Sequence, residues 1–187
     1  MAWISGNYYL NTAEMENNAT IVGSYGHNHG WTKIATAAIL GNMQAESGIN
    51  PGIWENLTPY MGGYGLTQWT PYTKYSNWAT AEGYTWQDNG DAELLRITYE
   101  ADNNLQWFHN NEIGADPPCT FNQFLKAGLY DLQTSTNLWL WFYEHPLDPG
   151  PTTQAIRYSY AQNWYTYLPD WTTIPPWLLF KFKGRGL

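Results

Sequence analysis

Apolar and small side chains at Ile34, Ala37, Ala38, Gly41 and Ala45 recur at intervals of three and four, the spacing that gathers them on one face of a helix. The pattern predicts an amphipathic helix over residues 32–45 whose small-residue face can approach a second element closely. Upstream, Asn11 and Glu14 form a capping pattern ahead of Met15, Ala19 and Val22, which predicts a helix over residues 11–25 that ends at Gly26. Further helices are expected over residues 91–105 and over 120–127, the latter capped by Thr120 with Gln123. An apolar helix over 136–144 should stop at Pro146. In the last, over 153–167, the apolar residues Ile156, Tyr160 and Trp164 stand four residues apart. Residues 53–70 hold Gly62, Gly63 and Gly65 and read as a short hairpin or loop. The expected fold class is therefore α+β, mainly α-helical, with a small β-hairpin. No internal repeat or low-complexity stretch interrupts it.

Two segments carry candidate chemistry: ILGNMQAESGINP, then GYGLTQW after a short Gly-rich gap. Glu46 falls in the last turn of its helix, with Gly48 and Pro51 following as stop signals. There the negative end of the helix dipole disfavours a carboxylate, and partial burial pushes the same way. Glu46 is thus expected to hold its proton near neutral pH, as a general acid must. Acids usually sit at the opposite end of helices, which makes an ordinary surface glutamate the weaker reading. The second segment is a tight loop in which Tyr64 and Trp69 border Gln68. An acid beside an apolar wall, facing an amide and aromatics, suits protonation of a glycosidic oxygen.

At this point the residues resemble a family. Glu46-Ser47 with Asn50-Pro51, then Gly65-Leu66-x-Gln68, looks like the goose-type lysozyme and lytic transglycosylase superfamily. The fuller wording GNMQAESGINP, GYGLTQWTP and FYEHP is similar to the phage tail lysozymes, in the right order over residues 12–168. The resemblance implies a lysozyme-like fold with the small β-hairpin beside the active-site groove. It also implies peptidoglycan as substrate, Glu46 as catalytic acid, and a setting at a virion tail tip that penetrates the host wall. Gln68 and the Gly65 loop would position sugar or water, while Tyr64, Trp69 and Tyr143 line the groove.

Glycoside hydrolysis normally uses a second carboxylate. Glu55, nine residues after Glu46, has a spacing reminiscent of phage lysozymes that carry an Asp there; otherwise it is a solvent-facing loop residue. Glu144, in FYEHP, is the other candidate, either as second acid or as an anchor for Glu46, with Tyr143 beside it. Without a second acid, the superfamily's other route is attack by the sugar's own hydroxyl, as in lytic transglycosylases. A tail protein that binds glycan without turnover is the rival of a different class. A cell-releasing endolysin is a third, and it would usually carry a separate wall-binding module.

Length and composition set bounds on these readings. A chain of 187 residues suits one domain with a core of its own. The single cysteine, Cys119, excludes an intramolecular disulfide and reads as a small buried residue. A net charge of −8 with only 8 Lys+Arg disfavours nucleic acid as partner and removes charge attraction to an anionic wall. Twelve Trp and fifteen Tyr exceed what a groove can use, so most must fill the core. His27 and His29 lack further ligands at metal spacing, so neither a metal nor a cofactor is expected. The N-terminus shows neither a basic region nor a long apolar run, so no secretory signal is expected. Residues 1–168 read as the catalytic domain. Residues 169–187, rich in Pro and ending with Lys181, Lys183 and Arg185, read as a docking arm to other tail subunits or a linker, too short to span a bilayer.

Overall fold

The computed structural model describes residues 1–146 and 148–171. Among the described residues seven α-helices follow in order: α1 (Thr12–Asn28), α2 (Lys33–Ser47), α3 (Thr73–Ala81), α4 (Gly90–Asp102), α5 (Phe121–Lys126), α6 (Leu132–Trp139) and α7 (Pro151–Tyr167). The mainly helical expectation holds. The basic end of the expected docking arm lies outside the described residues. No helix among those described is long and apolar enough to cross a membrane.

Helix α2 is the axis of the fold, packed against α1, α6 and α7. Every residue from Ala35 to Met43 is buried, so the helix is enclosed rather than amphipathic. Its small residues serve the close approach anticipated from their spacing. A Cβ on Gly41 would stand 2.7 Å from both the backbone nitrogen of Ala161 and the carbonyl oxygen of Arg157 in α7. Glycine is what lets these two backbones meet.

The capping pairs form as expected. Asn11 and Glu14 exchange side-chain and backbone hydrogen bonds at the start of α1, and Thr120 and Gln123 do the same for α5. Gly48, with φ of 60°, closes α2 just after Glu46. Gly26 does not end α1. It lies inside the helix, where a Cβ would meet Thr36 Oγ1 at 2.7 Å, and His29 caps the helix instead.

Three further differences from the sequence pattern matter for the site. The expected β-hairpin is absent: residues 53–70 form no strand, only single bridges between Trp54 and Tyr64 and between Tyr64 and Trp69, and a short 3₁₀ turn at Glu55–Leu57. Asn56, Leu57, Tyr60, Gly62, Gly65 and Gln68 all take positive φ. The backbone therefore turns every few residues, and no ladder extends beyond one bridge. The helix expected over 136–144 divides into α6 and a π turn at Leu140–Glu144, ended by His145 at φ 51°. In α7 the buried face is Arg157, Ala161 and Trp164, while Ile156 is 47% exposed. An arginine stands where an apolar stripe was anticipated.

Gly41→Ala is expected to lower unfolding stability by about 2 kcal/mol, since backbone on both sides must shift to admit one methyl. Urea denaturation of the two proteins measures this.

Candidate active site

The α2–α7 crossing brings Arg157 onto Glu46. One terminal nitrogen of Arg157 donates to Glu46 Oε1, and the other donates to the side-chain oxygen of Asn42 at 3.2 Å. The Arg157 side chain is 8% exposed and that of Glu46 23%. Glu46 thus faces a cleft while its countercharge lies behind it in the core. Asn42, itself buried, donates to the carbonyls of Ala38 and Thr136, so its oxygen is fixed toward the guanidinium.

The π turn contributes Tyr143 and Glu144. Both line the same cleft as Glu46. Irregular turns of this kind are common at functional sites because they redirect side chains that a continuous α-helix would carry elsewhere. Glu144 Oε1 accepts from the Trp139 indole at 2.6 Å. Burial, and then the charge of Glu46, push the Glu144 carboxyl well above the usual carboxylate range, against the opposing charge of Arg157. Tyr143 donates its hydroxyl to Glu100 Oε2 at 2.6 Å. Burial and the nearby Glu100 charge raise the phenol, so it remains a donor.

The loop over residues 63–69 is held by two buried acids of α4. Glu93 Oε2 accepts from the backbone nitrogen of Leu66 at 2.6 Å. Gly65, at φ 79°, admits that carboxylate, because a Cβ there would lie 2.5 Å from Glu93 Oε1. Glu100 Oε1 accepts from the Trp69 indole at 3.2 Å and from Arg96 Nε at 2.8 Å. Burial raises both carboxyls, that of Glu100 against the opposing charge of Arg96. Ser47, in the motif beside Glu46, donates to the carbonyl of Leu66 at 2.9 Å and ties the loop to α2.

These contacts bring Glu46, Glu55, Glu144, Gln68, Trp69 and Tyr143 around one cleft of about 440 Å³. Gln68 turns its amide nitrogen into the loop, donating to the carbonyls of Gly65 at 3.0 Å and Ile53 at 3.2 Å. Glu55 is an exposed residue at the cleft wall whose Oε2 accepts from Gly63 N at 2.9 Å. Tyr64 does not line the cleft. It is 1% exposed, packs 4.6 Å from Trp54 between ring centroids, and accepts from Asp88 N. Its hydroxyl and ring serve the aromatic core beneath the loop.

Arg157, Glu93 and Glu100 did not stand out in the sequence. A signal was present for the two acids: Glu93, Ile97 and Glu100 fall at helical spacing on the face of α4 that also buries Leu94 and Ala101. Charged residues on an apolar face are buried with partners or not at all. No local pattern marks Arg157, because its partners are more than a hundred residues away in the chain.

Comparison with known proteins adds two findings. The family model described as phage tail lysozyme matches residues 17–168. Morphogenesis protein 1 of Bacillus phage B103 is 41% identical over 166 residues, which cover 88% of this chain and 42% of that protein. The chain thus spans less than half the length of this relative.

Glu93 allows a test by pH. A carboxyl raised in the folded state keeps its proton where the unfolded chain has lost it. Its stabilising contribution is therefore full below about pH 4.3 and is lost as pH rises toward the folded value. Glu93→Gln, which cannot ionise, should gain on the wild type as pH rises above about 4.3 in denaturation experiments; a gap that stays constant with pH would contradict this burial of an acid.

Proposed function

The chain belongs to the phage tail lysozyme family, and from that premise we propose that it cleaves the glycan strands of peptidoglycan at a phage tail tip, with Glu46 as general acid. The observation that carries the reading is two carboxyls, Glu46 and Glu144, in one cleft with a single buried cation behind them. Arg157 occupies Glu46 Oε1 and leaves Oε2 for the glycosidic oxygen. Glu144 keeps a proton because Glu46 is close and water is scarce. In this mechanism Glu46 delivers the proton to the leaving oxygen as the bond to the anomeric carbon breaks, with Glu144 kept neutral beside it. Gln68 and Trp69 orient the sugar at the reacting centre, and Tyr143 borders it from below. Tyr64 supports the loop and acts on substrate only through it.

Glu55 stands at the cleft wall as the candidate base or nucleophile of a hydrolase. If the muramyl hydroxyl attacks instead, the product is an anhydro sugar and Glu55 is dispensable. Residues 1–168 form the catalytic unit in this reading, and the stretch from 169 onward is an arm or linker to other tail subunits. The name of the phage B103 relative, a morphogenesis protein, fits a component of the particle.

Digestion of purified Gram-positive peptidoglycan, with mass spectrometry of the soluble products, tests the assignment. Glu46→Gln should reduce product release at least about 100-fold. Glu144→Gln should remove the decline in rate that the wild type shows as pH rises through the Glu144 carboxyl. Reducing ends together with a comparable loss in Glu55→Gln support hydrolysis; anhydro ends with an active Glu55→Gln support the transglycosylase route. Saturable binding with no product from the wild type would replace both with a glycan-binding tail protein.

A further inference from the structure

The first ten residues contain no helix, yet they are wired into the fold by side chains from distant segments. Asn50 is the main clamp. Its Nδ2 donates to the carbonyls of Gly6 and Tyr8, each at 2.7 Å, while its oxygen accepts from Gly6 N at 3.3 Å and Gly52 N at 2.9 Å. Asn18 accepts from Ile4 N and donates to the Ile4 carbonyl. Asn7 returns the contact, accepting from Trp54 N at 3.1 Å and donating to the carbonyl of Leu57 at 2.9 Å.

Two glycines of the body leave room for this strap. A Cβ on Gly52 would lie 2.5 Å from Gly6 N, and one on Gly90 would strike the Trp3 ring. A segment with this many specific partners has a fixed course over the surface.

That course ends at the cleft. Tyr9 lines it together with Glu46 and Glu55, yet the residue is 72% exposed. Leu10, the next residue, is buried and Tyr9 is not. The strap lies outside the residues matched by the family model, which begin at 17.

We propose that the N-terminal strap is a glycan-binding wall of the cleft and that Tyr9 is its stacking platform for one sugar ring of the strand. This rests on the glycan reading of the cleft. A pyranose ring has an apolar C–H face that an aromatic ring covers, and the phenol hydroxyl reaches the sugar's hydroxyls at the edge. An exposed ring on a braced backbone gives that contact without ordering a loop on binding. The contact is made equally in the ground and transition states, so it acts on KM and leaves kcat unchanged.

Kinetics on soluble peptidoglycan glycan strands, with binding of the same strands measured in parallel, test this. Tyr9→Ala should raise KM about fivefold with kcat within about twofold, and Tyr9→Phe and Tyr9→Trp should restore KM. Unchanged KM and unchanged binding in Tyr9→Ala would overturn the proposal while leaving the catalytic reading intact. If the wild type releases no product, the catalytic reading fails and binding alone decides. Weaker binding by Tyr9→Ala, restored by Tyr9→Phe, supports the platform; equal binding by all three proteins removes it. Thermal unfolding of Tyr9→Ala close to that of the wild type is expected, because the ring is exposed.

Discussion

The pairing of Arg157 with Glu46 is the constraint around which the rest is arranged. A guanidinium enclosed between helices has lost most of its water, a cost repaid only by close, well-directed partners. Glu46 supplies the charge and Asn42 a fixed oxygen. Both acceptors lie on α2, so α7 must cross α2 closely enough for one side chain to reach them. Gly41 permits that distance. The same cation faces Glu144 electrostatically, so a contact that joins two helices also bears on how protons are held in the cleft.

A second set of buried charges replaces what a sheet would have done. The loop over residues 63–69 has almost no backbone pairing of its own beyond single bridges. Glu93 and Glu100 hold it from α4, one by a backbone nitrogen and the other by an indole. Anchoring by side chains leaves the loop free to use left-handed residues, including Gln68 itself. A regular hairpin would alternate its side chains between two faces. This loop instead sends Trp69 and Gln68 to the cleft while Tyr64 goes inward to the aromatic core.

The motif that resembles the family divides its residues between chemistry and support. Glu46 faces the cleft, Ser47 ties α2 to the loop, Asn50 grips the N-terminal strap, and Gly65 makes room for Glu93. Only the first of these roles involves reactive groups. The others fix distances between segments, which explains why small and amide-bearing residues stand at those positions.

The sequence by itself determined the helical class, the capping of α1 and α5, the stop after Glu46, and the family to which the chain belongs. Each of these depends on residues a few positions apart, where spacing is set by helix geometry and hydrogen bonds close locally. Tertiary structure alone decided the rest. The π turn that presents Glu144 has no spacing signature, and the hairpin anticipated at residues 53–70 gave way to turns fixed by Glu93 and Glu100 from another helix. Arg157 entered the core, and Ile156 stayed outside, because a countercharge waits on α2. Pairwise contacts between distant segments leave no periodic trace in either partner, so they become visible only when the chain is folded.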